Sequence, residues 1–443
     1  MSAEGLREVA RRIVTAAIAA ADPAAAVARA LSATPEGLAA CGRAFPLEGR
    51  LFVVAVGKAS QAMAAPAIAA LEDRLTGGIV VLPRGYGRAL GACYPRIAVL
   101  EARHPLPDAA GMEAAGRVMA LVRGMGERDL CLFLLSGGGS SLLPLPHPRI
   151  SLEDKIETTR LLLRSGADIT ETNTVRTHIS AIKGGRLAEG ARGCIVTLAI
   201  SDVAGDALGF IASGPTVPDP TTFAEALDVL SRRGLGDRVP GRVRLLLEDG
   251  AAGRIAETPK SLPDRHAAEI VASNATAVSA AMREAAAAGF TPHLLTAPLA
   301  GEARNAGRML ARIAKDVRDR GVPVAPPACV LAGGETTVTV KGSGAGGRNQ
   351  ETTLAAAIAL EGEPGILLAS FATDGVDGPT ESAGAYASGE TAVAGRRAGL
   401  DPLACLADND SAAFLSAAGE LIVTGPTGTN VNDIAFALVA RRT

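Results

Sequence analysis

Residues 130–141 read LCLFLLSGGGSS, an apolar run of strand length followed by three glycines and two serines. An uninterrupted apolar run of this length is typical of a strand that is buried on both faces. Glycines after such a strand uncover backbone N–H groups and serine hydroxyls add donors, so the stretch predicts a turn that binds phosphate or carboxylate. A tight turn without a ligand is the alternative interpretation. The residues of this predicted turn are Ser136, Gly137, Gly138, Gly139, Ser140 and Ser141.

Strand and helix patterns alternate on both sides of this turn, which favours a parallel sheet with helices on both faces. A chain of 443 residues exceeds what one hydrophobic core usually supports, so we expect two domains, residues 1–240 and 267–443, with a junction at 241–266. Two short strands are predicted around residues 333–335. The other predicted strands cover residues 51–56, 78–82, 97–101, 194–200, 269–273 and 291–295, and the predicted helices include residues 109–123, 151–164, 173–189 and 301–320.

Composition excludes several classes of function. The net charge is -2, so the chain lacks the basic surface typical of proteins that bind nucleic acid or an anionic membrane. The six cysteines form no CxxC pair, which indicates a reducing cytoplasm and no structural metal. The first residues have helical spacing and acidic interruptions, so we expect a cytoplasmic helix there in preference to an export signal. No uncharged apolar run is long enough to cross a bilayer.

Lys58 follows the apolar run at residues 51–56, within Gly57-Lys58-Ala59-Ser60. The unit lacks the first glycine of a Walker loop and has alanine in place of the required Ser or Thr, so a P-loop NTPase is rejected. Lys58 nevertheless occupies the end of a predicted parallel strand, where ligands bind in such sheets. A solvated lysine at a helix start is the alternative. His104 lies in a turn before a helix and either lines the same crevice or is an ordinary loop histidine.

Two polar segments follow. The residues predicted to share one face of a helix over residues 173–189 are Asn173, Arg176, Ser180 and Lys183, and a solvated face explains the pattern equally well. Asp202 and Asp206 come directly after the predicted strand at 194–200, where a carboxylate can bind magnesium or accept a hydroxyl proton. Capping of turns is the alternative for both.

Residues 328–351 form a second glycine-rich region. Gly342, Gly344 and Gly347 formally match GxGxxG, but the preceding strand pattern and the lack of a ribose-binding acid oppose a dinucleotide site. Arg348 at the start of the following helix is interpreted as a fork for phosphate or carboxylate, and a surface arginine is the alternative. Asp374 comes at another strand end, where it lines a crevice or forms an ordinary turn.

These motifs occur in one order: GKAS, HPLPD, SGGGSS, NTVRTHISAIKGGRLA, SDV with SGPTVPD, GGETTV, GRNQE, TDGVDGP and TGTNVND. The sequence resembles the two-domain glycerate 2-kinases, whose C-terminal part is called the MOFRL domain, here about residues 326–437. The resemblance implies two three-layer α/β/α domains, the first Rossmann-like with a mostly parallel sheet and the second smaller with a mixed sheet. It also implies an active site in the cleft between the domains.

The same resemblance implies ATP-dependent phosphorylation of D-glycerate at its 2-hydroxyl, with Mg²⁺, by a monomer or homodimer. Lys58, Arg348 and Asp202 match the motifs that carry catalysis in the family, and Ser136–Ser141 with Lys183 are expected to bind ATP phosphates. Asp202 and Asp206 are the candidate metal ligands. The residues expected to line the substrate cleft are His104, Asn173, Arg176, Glu335, Asn349 and Asp374.

Two other functions stay open at this point. The first is an NAD(P)H-dependent hydroxypyruvate reductase, which needs a nicotinamide site and finds only the poor match at Gly342. The second is a non-enzymatic protein that binds a nucleotide or hydroxy acid. Such a protein would not need the lysine, the arginine and the aspartate together.

Overall fold

The structure, a computed structural model, describes residues 1–86, 94–203 and 205–441. They group into two compact units. The N-terminal unit comprises Pro23–Ser201 and Asp206–Val271, and the C-terminal unit comprises Met1–Asp22, Asp202–Gly205 and Ala272–Thr443.

The N-terminal unit is organised by a six-stranded sheet. Three short strands, β1 (Ser32–Thr34), β2 (Gly37–Ala40) and β3 (Arg43–Pro46), come first and form a separate antiparallel sheet. The strands of the large sheet are β4 (Leu51–Val56), β5 (Leu75–Pro83), β6 (Ile97–Ala102), β7 (Leu130–Leu135), β8 (Cys194–Ile200) and β9 (Ala267–Ala272). Their order is β6-β5-β4-β7-β8-β9, and the pairs from β6 to β8 are parallel.

The centre of this sheet explains the position of the glycine turn. All six residues of β7 are buried, as the unbroken apolar run predicts. Because β4 and β7 are parallel neighbours with Val56 opposite Leu135, the two strands end side by side. The turns that follow them, at Gly57 and Ser136, are therefore adjacent.

Helices and short 3₁₀ turns complete the N-terminal unit. The 3₁₀ turns are Glu72–Arg74 and Leu208–Ser213. The helices are Pro23–Ala30, Ser60–Leu71, Ala109–Arg123, Gly139–Leu142, Leu152–Arg164, Ile169–His178, Arg186–Glu189, Phe223–Arg232 and Gly241–Ala251.

The C-terminal unit contains a mixed sheet. Its strands are β10 (Thr291–Leu299), β11 (Ala328–Gly334), β12 (Ile366–Ala372), β13 (Gly384–Ser388), β14 (Leu421–Ile422) and β15 (Asp433–Val439). The order is β10-β11-β15-β12-β13-β14, with β10 parallel to β11 and the other pairs antiparallel. The helices are Ala3–Ala20, Asn274–Ala287, Ala303–Arg320, Arg348–Ala359, Thr391–Arg397, Pro402–Ala407 and Ser411–Ala417. The prediction of two α/β domains, one with a mostly parallel and one with a mixed sheet, is confirmed.

The N-terminal helix, Ala3–Ala20, belongs to the C-terminal unit. Its apolar face is buried, Arg12 forms an ion pair with Glu284, and Arg7 approaches Glu420 to 2.5 Å. In the described part of the chain no single helix is long and apolar enough to cross a membrane, and only a bent pair, this helix with Pro23–Ala30, meets the length and composition criteria.

The structure contradicts the predicted helix over residues 173–189. The helix ends at His178, Ser180 forms a β-bridge with Pro146, and a second short helix begins only at Arg186. Gly184 and Gly185 have positive φ angles of +58° and +79°, which a helix cannot accommodate. The prediction that one helix face carries Asn173, Arg176, Ser180 and Lys183 is therefore wrong for Ser180 and Lys183.

One of the two strands predicted around residues 333–335 is also wrong. β11 ends at Gly334, and the residues after it form only an isolated bridge between Thr337 and Glu302. Both neighbours of β11 stop level with Gly334, since Leu299 ends β10 and Asp433 begins β15, so the alternating Thr and Val residues have no strand beside them in the described part of the chain. Cys41, Cys131, Cys194, Cys329 and Cys405 are free thiols, and Cys93 lies outside the described residues.

Candidate active site

The glycine turn after β7 is tied to the turn after β4. The backbone N–H of Lys58 donates to Gly137 O at 2.9 Å, and the N–H of Ala59 donates to Ser136 Oγ at 3.1 Å. Gly57 has a φ of +127°, and a Cβ there would lie 2.2 Å from Ser136 Oγ, so only glycine fits at this crossing. The two turns therefore form one rigid edge of the sheet.

Backbone donors are available at this edge. In the part of the chain that the structure describes, the N–H groups of Gly137, Gly138, Gly139 and Ser140 donate no hydrogen bond. The Ser141 hydroxyl donates back to Gly138 O at 3.0 Å and so holds the turn in shape. Four consecutive N–H groups without acceptors in the described chain are a donor set of the kind that binds phosphate oxygens.

The side chains of Lys58 and His104 both lie close to Gly138. A Cβ added to Gly138 would lie 3.0 Å from His104 Nε2 and 3.4 Å from Lys58 Cγ. The half-buried Lys58 ammonium has no hydrogen bond or ion pair among the described residues. Burial, with the positive charge of Lys58 as a second cause, holds the pKa of His104 below its ordinary value. Both causes favour the neutral form of His104, and Lys58 has no counter-ion among the residues that the structure describes.

We expect Gly138→Ala to lower kcat/KM about tenfold, because the methyl group would push His104 and Lys58 away from the turn. The φ of Gly138 is +86°, so part of the effect would be backbone strain of about 1 kcal/mol. Gly253→Ala is the matched control, since Gly253 has a φ of +74° and nothing within 4 Å of an added Cβ. Thermal unfolding should report a similar loss of stability for both variants, and equal activity in both would contradict the prediction.

A second polar network continues from Ser140. Lys183 Nζ donates to Ser140 Oγ at 2.9 Å and to Ala212 O at 3.0 Å. The hydroxyls of Ser140 and Ser213 are 2.8 Å apart, and Ser213 donates to Asn173 Oδ1 at 2.9 Å. Ala212 and Ser213 have positive φ angles of 51° and 61°, unusual for residues other than glycine. The network thus joins predicted site residues from three separate segments.

Ser213 is a site residue that the sequence analysis missed. It lies in the SGPTVPD motif, which was quoted for the family resemblance without a role for this serine. The residue before it, Ala212, packs against Gly139 so closely that a Cβ on Gly139 would lie 2.7 Å from Ala212 Cβ, and the local sequence does not show this contact. Only the SGPTVPD motif could have indicated a role for Ser213.

Arg348 lies in the C-terminal unit and is held by two carboxylates. Its Nε and Nη2 contact the two oxygens of Asp433 at 2.5 and 3.0 Å, and its Nη1 contacts Glu335 Oε1 at 2.5 Å. Burial raises the pKa of Asp433 to about 6, although the guanidinium of Arg348 opposes this. Asp433 is a second residue that the sequence analysis missed, because it lies 85 positions from its partner.

Asn349 and Asp377 organise the start of the helix that carries Arg348. Asp377 accepts from the backbone N–H of Asn349 at 3.1 Å and of Gln350 at 2.8 Å. The Asn349 side chain is 1% exposed, donates to Asp377 and accepts from Ser370 Oγ at 2.6 Å. Asn349 therefore has a positioning role in this structure, one layer beneath Arg348.

The other carboxylates predicted for the site are placed as follows. Asp374 accepts from the backbone N–H of Val376 at 3.0 Å, the turn contact foreseen as the alternative interpretation. Glu335 is half-exposed and contacts Arg348. Asp202 lies two residues beyond the end of β8, and Asp206 has a positive φ of 53°.

The carboxylates near the candidate site could supply only one or two of the ligands that Mg²⁺ needs. Across residues 1–86, 94–203 and 205–441 no group of three or more His, Cys, Asp or Glu side chains could hold a metal ion. Mg²⁺ in nucleotide-dependent enzymes needs only one or two carboxylates, since phosphates and water complete its shell. Asp202 and Asp206 fit that requirement because both carry the carboxylate oxygens that Mg²⁺ prefers.

The backbone N–H groups of the GxGxxG segment donate to oxygen atoms of the protein itself. The N–H groups of Gly342 and Gly344 donate to Asn409 Oδ1 and Asp408 O at 3.0 Å each, and that of Ala345 donates to Asp410 Oδ1 at 3.1 Å. A Cβ on Gly342 would lie 2.2 Å from Asp408 O. These donors are therefore unavailable to the phosphates of a dinucleotide.

Comparisons with known proteins agree across both units. Residues 9–248 match the family described as a domain of unknown function, DUF4147, and residues 328–433 match the MOFRL family. The glycerate 2-kinase of Pyrococcus horikoshii is 43% identical over 100% of this chain and 99% of its own length. The glycerate kinase of Homo sapiens is 36% identical, over 98% of this chain and 93% of that protein.

A solved structure extends this similarity to the fold. The crystal structure of glycerate kinase from Thermotoga maritima superimposes with a TM-score of 0.87 at 40% identity, covering 99% of this chain and 100% of that chain. Identity of this extent over the full length confirms the resemblance drawn from the motifs. The chain belongs to the family of glycerate 2-kinases with a C-terminal MOFRL domain.

Proposed function

We propose that this protein transfers the γ-phosphoryl group of ATP to the 2-hydroxyl of D-glycerate, giving 2-phospho-D-glycerate and ADP. The observation that carries the proposal is the turn after β7, where four backbone N–H groups have no acceptors in the described chain and the Lys58 side chain lies close to Gly138. Such a donor set suits a polyphosphate better than a neutral ligand. The relatives named glycerate 2-kinase and D-glycerate 2-kinase indicate D-glycerate as the acceptor of the phosphoryl group.

Phosphoryl transfer depends on positioning and charge stabilisation more than on covalent chemistry by the protein. The N–H groups of Gly137–Ser140 would hold the phosphates of ATP. Lys58 and Arg348 would neutralise the charge on the migrating group, and Arg348 would also orient the glycerate carboxylate through its planar fork.

Bond changes in the proposed step balance as follows. The 2-hydroxyl oxygen forms a bond to the γ-phosphorus, the bond from that phosphorus to the β–γ bridging oxygen breaks, and ADP leaves. The hydroxyl proton passes to a carboxylate oxygen of Asp202, which leaves Asp206 as the protein ligand of Mg²⁺; the alternative role of Asp202 is to bind Mg²⁺, with the proton released to water. When bound, Mg²⁺ would neutralise charge on the phosphates.

Product analysis tests this function. The protein, D-glycerate and MgATP are incubated, and ³¹P and ¹³C NMR identify the phosphoglycerate isomer. We expect 2-phosphoglycerate with one ADP formed per product, and none in a parallel sample without ATP. The 3-phospho isomer, or ADP without any phosphoglycerate, would contradict the proposal.

The reductase alternative has its own measurement. Loss of NADH absorbance with hydroxypyruvate, in the absence of ATP, would favour a reductase. We expect no such loss, because the GxGxxG segment already uses its N–H groups on residues 408–410.

A further inference from the structure

Five consecutive backbone N–H groups shortly before Arg348 all donate to one other segment of the chain. The donors belong to residues 341–345 and the acceptors to residues 408–410, about 65 positions further along the chain. The bonds, 2.7 to 3.1 Å long, run from Lys341 and Gly342 to Asn409 Oδ1, from Ser343 to Asp408 Oδ1, from Gly344 to Asp408 O and from Ala345 to Asp410 Oδ1. One short segment therefore fixes the main chain that leads to Arg348.

Residues 341–345 have no regular structure of their own to fix them. They lie outside the helices and strands, and every second residue is exposed. A Cβ on Gly344 would lie 2.3 Å from Asp410 Cβ. A Cβ on Gly346 would lie 2.1 Å from Ser411 Oγ, so only glycine allows the close approach at both positions. The glycines of this stretch thus serve the contact between the two segments.

Asn409 lies at the centre of this contact. It is 6% exposed and has a φ of +57°, a conformation in which asparagine is one of the better tolerated residues after glycine. While its Oδ1 accepts the two N–H groups, its Nδ2 donates to Glu351 Oε2 at 3.0 Å. Glu351 is 1% exposed, lies three residues after Arg348 in the same helix and also accepts from Arg304 at 2.8 Å. One amide side chain therefore joins the main chain before Arg348 to the first turn of the helix after it.

We propose that Asn409 is a positioning residue for Arg348, acting through the main chain on both sides of that arginine. The ion pairs with Asp433 and Glu335 fix the guanidinium end of the Arg348 side chain, whereas Asn409 fixes the end that joins the backbone. A charge that must meet a reacting group within a fraction of an ångström needs both ends fixed. The consequence for the reaction rests on the proposed function, in which this guanidinium neutralises charge on the migrating phosphoryl group.

A double-mutant cycle tests whether Asn409 acts through Arg348. Asn409→Gly removes the side chain at a positive φ without the strain that alanine would add. We expect it to lower kcat at least about tenfold and to leave the KM for MgATP within about twofold, because the misplaced guanidinium acts on the migrating group. In the Arg348→Ala background the same change should lower kcat/KM by no more than about twofold. A merely structural residue would lower kcat/KM by the same factor in both backgrounds.

Hydrogen exchange tests the geometry without turnover. The amides of Lys341 and Gly342 should be protected in the wild type and should exchange at least about tenfold faster in Asn409→Gly. Asn409→Asp keeps an oxygen acceptor for both N–H groups but places a carboxylate against Glu351, so its kcat should lie between those of Asn409→Gly and the wild type. The same cycle run with Asn409→Asp, the milder change, gives the answer if Asn409→Gly does not fold.

Thr222→Gly is the matched control, because in the N-terminal unit it removes a side-chain oxygen that accepts from the backbone N–H of Glu225 at 3.2 Å. It should lower the melting temperature slightly and leave kcat within about twofold. Equal losses of kcat/KM with and without Arg348, or unprotected amides at Lys341 and Gly342 in the wild type, would overturn the positioning role. A wild type that makes no 2-phosphoglycerate, with protection that still depends on Asn409, would overturn the proposed function and leave Asn409 as a purely structural residue.

Discussion

Lys58→Ala is expected to lower kcat/KM by about 10³-fold while the protein stays folded. The Lys58 side chain lies close to Gly138 of the turn whose N–H groups would hold the phosphates, and its ammonium has no hydrogen bond or ion pair in the described part of the chain. Removal of the charged group therefore costs no hydrogen bond or ion pair to the described residues, so its effect should appear in the reaction and not in the melting temperature. Steady-state kinetics with MgATP and D-glycerate, with thermal unfolding alongside, measure both.

Lys341→Ala is the matched control, because it removes a lysine charge from an exposed residue and should leave kcat/KM unchanged. Lys58→Arg keeps the positive charge but changes the shape and length of the side chain, so we expect kcat/KM between that of Lys58→Ala and that of the wild type. Turnover near that of the wild type in Lys58→Ala would rule out a catalytic role.

His104 offers a readout of the same substitution that does not depend on activity. Burial is the first cause of its lowered pKa and the charge of Lys58 is the second. Removal of that charge should raise the pKa of His104, which an NMR titration of the imidazole protons can follow. An unchanged titration would mean that Lys58 lies elsewhere in solution.

The sheet of the N-terminal unit could be predicted because its signals are local. β7 was predicted with its observed bounds, Leu130–Leu135, and so was β8, Cys194–Ile200. Buried parallel strands are apolar throughout and end in glycine or polar residues, so both the strand and its end can be identified from a few neighbouring residues. The adjacency of Gly57 and Ser136 follows from pairing two such strands.

Contacts between distant segments could not be predicted in this way. The helix over residues 173–189 looked continuous because its polar residues recur at helical spacing, yet Ser180 bonds instead to Leu145 O at 2.9 Å. Likewise Ser213 meets Asn173 across 40 positions. In each case tertiary contacts override the local pattern. Such contacts between distant residues cannot be identified from a single sequence.

The same limit applies to the N-terminal helix. Its amphipathic pattern predicted a helix correctly, since Leu6, Val9 and Ile13 are buried. Nothing in that pattern identifies which element covers the apolar face. The partner is the helix Asn274–Ala287, with Arg12 paired to Glu284, more than 250 residues away in the chain.

Arg348→Ala is expected to have two effects, a loss of kcat/KM of about 10³-fold or more and a loss of stability of about 3 kcal/mol. The first follows from the proposed role of the guanidinium at the migrating phosphoryl group. The second follows from Asp433, whose side chain is 9% exposed and would lose its bidentate partner, so that it must either keep an unpaired buried charge or take up a proton. Kinetics and chemical denaturation measure the two effects separately.

A second substitution distinguishes chemistry from structure at this ion pair. In Arg348→Ala/Asp433→Asn the buried carboxylate is gone, so most of the lost stability should return, while kcat/KM should remain as low as in the single variant. Asp433→Asn alone keeps the guanidinium but removes the carboxylate that aligns it. This variant should therefore lower kcat more modestly than Arg348→Ala. If the double variant recovered activity together with stability, Arg348 would be a structural partner of Asp433 and the phosphoryl group would have to be stabilised by other cations. If activity stays lost in a protein of normal stability, the guanidinium itself takes part in the reaction.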